Sequence, residues 1–303
     1  MELSNLTTEK RNPASMNLDQ MTTMEILQTI NNEDKTVAFA VEKILLQVQI
    51  VIDRVVEAIK NNGRLFYIGS GTSGRLGMLD ASECPPTFMT PPHLVQTVMA
   101  GGNEAYFQAV EKAEDNEEQG EIDLISRNIT KNDIVIGITA SGRTPYPIGA
   151  IKYAKSIGAF TVGLTSNANS LINKYTDVAL EVVVGPEVLT GSTRMKAATA
   201  HKMILNMIST STMVKLGKVY QNLMVDVHAT NYKLMERAKS IIMDITNVPY
   251  EHAETILSKT NYEIKPAIVM IQAMVDEQEA LKALTKAQGD VGKAISELIN
   301  KGV

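Results

Sequence analysis

The residues of this chain best suited to chemistry are hydroxyls and glycines gathered in short loops. In Leu65 to Pro86, LFYIGSGTSGRLGMLDASECPP, a short apolar run ends at Ile68 and empties into Gly69, Ser70, Gly71, Thr72, Ser73 and Gly74. Glycines let backbone N–H groups approach a ligand closely, and a helix entrance leaves donors unpaired with partial positive charge, so such a loop suits an anion. Thr139-Ala140-Ser141-Gly142-Arg143-Thr144-Pro145 repeats the grammar, with Pro145 placed to begin a helix. A third polar entrance, GPEVLTGSTRMKA from Gly185, carries Ser192, Thr193, Arg194 and Lys196. Ser and Thr also cap helices with no ligand present. Two such loops, each following an apolar strand, make capping alone the weaker explanation.

Gly69, Gly71 and Gly74 match the spacing of a dinucleotide-binding turn. That fold also wants an acid about twenty residues on, at the end of the second strand, to hold ribose hydroxyls. Here the second apolar run, Leu94 to Met99, ends in Ala100-Gly101-Gly102, with no carboxylate before Glu104. The hydroxyls of Ser70, Thr72 and Ser73 suit a phosphate monoester or a sugar better than a pyrophosphate. No Gly-Lys-Ser/Thr follows, which excludes a Walker loop.

Carboxylates supply the acid–base candidates. Glu83 stands beside Cys84 and two prolines, at the end of a helix predicted over Ser73–Cys84, where the dipole disfavours an anion. An exposed terminal carboxylate is the plainer reading. Glu114 lies among Glu111, Asp115, Glu117 and Glu118, and a charge run is usually a solvated face. On a helix predicted from Asn103 to Glu118, Phe107, Val110 and Glu114 share a side, but Glu111 and Glu118 lie near it, so spacing leaves the choice open. His201 and His228 fall in apolar helical patterns, where packing is the expected role.

The elements around these loops follow a simple order. Residues 1 to about 18 are polar and broken by proline, which predicts a disordered arm. Asp19 or Thr22 can cap a short helix through Ile30, and one long amphipathic helix is predicted from Asp34 to Asn61. Strands are predicted at Leu65–Ile68, Leu94–Met99, Asp133–Thr139, Phe160–Leu164 and Val178–Val184, alternating with helices. That alternation implies an α/β fold with a five-stranded parallel sheet covered on both faces, and ligands at the carboxyl ends of the strands. After Thr246 come short helices, Pro249–Ser258, Pro266–Met274, Glu277–Ala287 and Asp290–Ile299, as in a small bundle. The expected division is an N-terminal arm and helices over 1–62, an α/β sheet domain over 63–246, which the family resemblance described below makes the phosphosugar-binding domain, and a helical bundle over 247–303.

Composition narrows the function. With 303 residues, 44% hydrophobic, 21% charged and a net charge of −5, the chain reads as globular, and no basic stripe suits nucleic acid or an anionic membrane. The single cysteine, Cys84, cannot form an internal disulfide, and no Cys/His spacing resembles a zinc site. No apolar run reaches membrane-spanning length or forms a signal core, so a reducing cytoplasm is expected.

Two hydroxyl loops on a five-stranded parallel sheet resemble the SIS (sugar isomerase) family. With Thr8-Glu9-Lys10-Arg11-Asn12, Gly69 to Pro86 and Gly185 to Lys196 added, the sequence is similar over nearly its whole length to the N-acetylmuramic acid 6-phosphate etherase family. GPEVLTGSTRMKA resembles the signature those etherases share with the glucokinase regulatory protein, and AQGDVGKAISEL resembles their ubiquitin-associated-type C-terminal bundle. The resemblance implies cleavage of the D-lactyl ether to N-acetylglucosamine 6-phosphate and D-lactate, with Glu83 and Glu114 in acid–base roles and no metal or organic cofactor. It implies phosphate contacts from Thr139, Ser141 and Thr144, with Ser70, Thr72 and Ser73 on the sugar or sharing the phosphate. Ser192 and Lys196 are candidates for the sugar or the lactate carboxylate. A homodimer is expected, with the arm bearing Glu9, Arg11 and Asn12 helping to close a site. A non-catalytic sugar-phosphate-binding regulator and an aldose–ketose phosphosugar isomerase remain alternatives at this point.

Overall fold

The computed structural model describes residues 6–108, 110–227 and 232–301, without the side chains of Glu111 and Lys301. His228 lies outside the described residues. The chain divides into two compact units, one of residues up to 82 with 92–209, the other of 83–91 with 210 onward.

The first unit is built on five parallel strands, β1 (Leu65–Gly69), β2 (Val95–Met99), β3 (Ile134–Ile138), β4 (Phe160–Thr165) and β5 (Val178–Glu181), in the order β2-β1-β3-β4-β5. Every residue of β1 and β3 is buried, as continuous apolar runs in a doubly covered sheet require. Gly69 is level with Met99 on one side and Ile138 on the other. The strand order reverses at β1, so the loops after β1 and β3 leave side by side at the switch point, where a crevice opens.

Helices α1 (Thr23–Asp34), α2 (Val37–Glu42) and α3 (Leu45–Lys60) precede the sheet. Thr22, not Asp19, caps α1, in a reciprocal capping box with Glu25. The predicted long helix is two helices. A turn closed from the Ile44 N–H to the Val41 carbonyl (3.1 Å) resets the helical phase, burying Val41, Val48 and Val55 but leaving Leu45 exposed.

The helix α4 (Gly71–Phe88) packs directly on the sheet. A Cβ on Gly74 would lie 2.8 Å from the Gly69 carbonyl oxygen and 2.8 Å from Met99 Cγ. The glycine spacing is thus a packing requirement of α4 against β1 and β2. Buried Asp80 holds α4 in place, accepting from Tyr67 Oη of β1 (2.9 Å), Asn206 Nδ2 (2.7 Å) and Ser209 Oγ (2.9 Å). Burial raises its carboxyl above the ordinary aspartate value against those three hydrogen bonds. The helix α4 does not stop at Cys84. It continues through Pro85 and Pro86 to Phe88, because the proline φ suits a helix and each ring forfeits only its own donor and crowds one carbonyl.

The predicted helix from Asn103 is also absent. Short 3-10 turns, Gly102–Tyr106 and Glu111–Asp115, precede α5 (Glu117–Ser126). Gly101 and Gly102 have φ of 84° and 64°, and the Arg75 guanidinium takes the carbonyls of Ala105, Tyr106 and Gln108 that a helix would use internally. Phe107 is 92% exposed, so the apolar side it was expected to share with Val110 and Glu114 does not form. The rest of the unit follows the alternation, with α6 (Pro145–Ser156) starting at Pro145 and α7 (Lys196–Lys215) after the last strand of the sheet.

The described part of the arm, residues 6–18, is ordered. Leu6, Thr8 and Asn12 are buried, Asn167 Oδ1 accepts the Thr7 N–H at 2.7 Å, Asn12 Nδ2 donates to the Pro186 carbonyl at 3.1 Å, and Ser15 Oγ donates to the Val188 carbonyl at 2.6 Å. A polar, proline-broken sequence reads as disordered only while such distant partners are unknown.

The second unit contains a short hairpin, β6 (Val219–Tyr220) and β7 (Leu223–Met224), and helices α8 (Tyr232–Thr246), α9 (Tyr250–Lys259), α10 (Ile264–Ala273), α11 (Glu277–Lys286) and α12 (Val291–Lys301). Ile242, Leu257, Ile268, Ala280 and Ala294 meet in its core. Among the described residues no helix is long and apolar enough to cross a membrane.

Candidate active site

The loops after β1 and β3 enclose a cavity of about 230 Å³, whose lining includes Ser70, Thr72 and Ser73 on one side and Thr139, Ser141 and Thr144 on the other. The β3 loop gathers its hydroxyls by curling on itself. Thr139 Oγ1 lies 2.9 Å from Thr144 Oγ1 and 3.3 Å from Ser141 Oγ, while the N–H groups of Gly142 and Arg143 donate to Thr139 and Ser141, each at 3.2 Å. Gly142 makes the curl with φ of 72°. Thr144 occupies the N-cap position of α6 and its side chain makes no capping hydrogen bond; because Pro145 and Pro147 carry no N–H, Tyr146 is the one residue of the first three in α6 with a backbone donor. Across the cavity, Ser70 Oγ is buried without a hydrogen-bond partner. An unpaired buried hydroxyl costs about 1–3 kcal/mol, and a polar ligand in the cavity relieves that cost.

The third polar entrance is occupied from within. Glu187, fully buried, accepts the N–H groups of Lys196 and Ala197, both at 2.9 Å, and so caps α7 with a carboxylate of the chain itself. Burial pushes the Glu187 carboxyl up, against those bonds and the Lys196 charge. Lys196 is 2% exposed and its Nζ donates to Glu33 Oε2 at 2.5 Å. Burial works to raise the Glu33 carboxyl, but the hydrogen bonds from Lys196 and Asn12 prevail and hold it below the ordinary glutamate value. Neither Ser192 nor Lys196 is part of the cavity lining, to which this loop contributes Gly191 and Thr193.

Glu114 lines the cavity from the turn before α5, exposed toward it. Glu9 of the ordered arm lines it too, with Oε2 3.4 Å from where a Gly191 Cβ would stand. Glu83 is exposed on α4, more than a turn before that helix ends at Phe88, so no helix-terminus dipole acts on it, and it is not part of the lining. His201, read from sequence as a packing residue, both packs and lines the cavity. It is 1% exposed, its Nε2 lies 3.0 Å from Ser166 Oγ, and burial lowers its pKa from 6.5 to about 4, so the ring is neutral near pH 7. The helical spacing of Ala198 and His201, three residues apart on one face near the α7 entrance, was the available signal.

A second, smaller cavity of about 110 Å³ adjoins the first, sharing Ser70, Gly71 and Glu114 and walled by Arg75, Met99, Ala100, Ala105 and Val110. A larger cavity of about 390 Å³ opens at the opposite edge of the sheet; four of its charged groups pair, Arg54 with Glu57 and Lys155 with Asp177, and it carries no hydroxyl loop.

The model for the glucokinase regulatory protein N-terminal SIS domain matches residues 47–155, that for the SIS domain residues 110–211, and that for the C-terminal lid domain of glucokinase regulatory protein residues 221–298. The chain is 53% identical over 301 residues to an N-acetylmuramic acid 6-phosphate etherase of Clostridium beijerinckii, covering 99% of both chains. The chain belongs to the N-acetylmuramic acid 6-phosphate etherase family. Etherases of that name from Bacillus pumilus and Bacillus subtilis are 54% and 53% identical over 295 residues, each covering 97% of both chains. A phosphoheptose isomerase from Francisella tularensis superposes with a TM-score of 0.52 at 16% identity, covering 64% of this chain and 100% of its own, which shows the etherase-family sheet to be a SIS fold. Within that fold the etherase-family chain joins the predicted hydroxyls and Glu114 in one cavity, adds Glu9 and His201, and leaves Glu83, Ser192 and Lys196 outside its lining.

Proposed function

We propose that this protein cleaves the D-lactyl ether of N-acetylmuramic acid 6-phosphate, as a carbon–oxygen lyase in cell-wall sugar recycling. The observation that carries the reading is the meeting of a hydroxyl cluster with Glu114 in one cavity at the switch point of the sheet. Thr139, Ser141 and Thr144 hold the phosphate, and Ser70, Thr72 and Ser73 hold the sugar or share the phosphate. A carboxylate removes the C2 proton of the open-chain aldehyde. The C3–O bond then breaks, the lactate oxygen takes a proton, and water adds across the resulting C2=C3 double bond. One carboxyl must be protonated as the ether oxygen leaves, so two groups of opposed state are required. Glu114 fills one role from the cavity wall; the case for Glu83 as the other rests on its family motif.

The residues Phe39, Leu46 and Ile50, 66%, 76% and 50% exposed on α2 and α3, favour a homodimer that covers them. The phosphosugar work falls to residues 63–246 with the arm, the bundle over 247–303 is structural, and the setting is the cytoplasm. Incubation with N-acetylmuramic acid 6-phosphate in heavy water tests the reading. Lactate release together with deuterium at C2 of the product is the expected result. Binding without either supports a regulator, and C2 exchange with aldose–ketose interconversion but no lactate supports an isomerase.

A further inference from the structure

The proposed substrate carries two anions, a phosphate and the carboxylate of its lactyl group, and only the first is provided for by the hydroxyl loops. We infer that the 110 Å³ annex beside Glu114 is the lactyl subsite, with Arg75 facing the carboxylate and the apolar wall taking the methyl group. The inference rests on the etherase reading of the main cavity.

The cations available are few. Among the described residues no Lys or Arg lines the main cavity, and Lys196, the sequence-based candidate for the lactate carboxylate, is buried against Glu33. Arg75 is the cation that lines the annex. Its Nε donates to the Tyr106 carbonyl at 3.2 Å, and its Nη2 to the carbonyls of Ala105 at 2.9 Å and Gln108 at 3.2 Å. A guanidinium carries five N–H donors, and these bonds use one on Nε and two on Nη2. The pair on Nη1 has no partner among the described residues. Three carbonyls fix the plane of the group beforehand, so a carboxylate arriving at Nη1 immobilises little that was free.

The remaining walls fit the rest of the group. Met99, Ala100, Ala105 and Val110 make an apolar surface of the size a methyl group needs. Ser70, Gly71 and Glu114 belong to both cavities, so the bond to be broken, between sugar C3 and the lactyl oxygen, straddles the opening at which Glu114 stands. Glu9 lines only the main cavity, where its negative charge repels a second carboxylate and favours neutral sugar hydroxyls.

The test separates lactyl recognition from support of the Glu114 turn. Release of lactate from N-acetylmuramic acid 6-phosphate is compared with deuterium uptake at C2 of N-acetylglucosamine 6-phosphate, which has no lactyl group, for wild type, Arg75→Ala and Val110→Phe. Val110 is an exposed wall position from which phenylalanine fills the annex. In both variants kcat/KM for the ether falls relative to the exchange rate by roughly tenfold or more, as loss of a hydrogen bond to a charged group predicts. Parallel loss of both rates in Arg75→Ala overturns the inference, because Arg75 then acts only through the segment it braces. An unchanged ratio in Val110→Phe overturns it as well. A wild type that exchanges C2 but releases no lactate refutes the etherase reading itself, and the lactyl subsite with it.

Discussion

His201 gives the sharpest prediction, because its burial ties the floor of the cavity to the pH dependence of stability. Burial lowers the folded-state pKa from 6.5 to about 4. Below pH 6.5 the unfolded chain takes up a proton that the folded chain refuses, until the folded value is reached. Stability is therefore fully present above about pH 6.5 and is lost as pH falls toward 4, at up to about 1.4 kcal/mol per pH unit and about 3 kcal/mol in all. Other groups titrate in the same range: Glu33 and Asp177, held low by their partners, also lose stability in acid, while Asp80 and Glu187, raised by burial, act in the opposite sense. The comparison is therefore between wild type and His201→Gln, which keeps a donor toward Ser166 but cannot titrate. Urea unfolding from pH 7.5 to 4 should show the wild-type advantage shrinking by about 3 kcal/mol, most of it below pH 6. The four histidines allow a direct check by NMR, in which the His201 ring signal stays at its neutral position down to about pH 5. Parallel stability curves, or a ring that titrates near 6.5, would refute the reasoning. A neutral His201 supplies no imidazolium to the cavity near pH 7.

Two further outcomes separate catalysis from architecture. Glu114→Gln should lower kcat by about 100-fold or more with KM within a few-fold, since acid–base help is lost while the hydroxyl loops are intact; steady-state assay of lactate decides, and an unchanged kcat removes Glu114 from the chemistry. Lys196→Ala should cost about 3 kcal/mol of unfolding free energy, because it leaves Glu33 partly buried without its cation, and Glu33→Gln should cost at least as much, because it strands the more deeply buried Lys196. A variant of full stability with a raised KM would instead make Lys196 a ligand contact.

Much of the architecture is legible in the sequence. The short apolar runs at 65–69 and 134–138 read as buried strands, and Pro145 fixes where α6 begins, because each depends on local pattern and backbone geometry. The meeting of the first two loops was legible for the same reason: each strand empties into Gly, Ser and Thr at the same edge of the sheet, and their hydroxyls line one cavity. Tertiary structure decided whatever depended on a distant partner. The arm became ordered because Asn167 and the carbonyls of Pro186 and Val188 satisfy it. Arg75 drew off the carbonyls that a helix from Asn103 would have kept, and so set Glu114 on a turn at the cavity wall. Glu187 and Glu33 claimed the α7 entrance and Lys196, leaving an apparent anion site closed from within. Sequence determines the local groups capable of binding an anion; which of them remain unpaired is settled only when the chain brings its own carboxylates and carbonyls within hydrogen-bond reach of them.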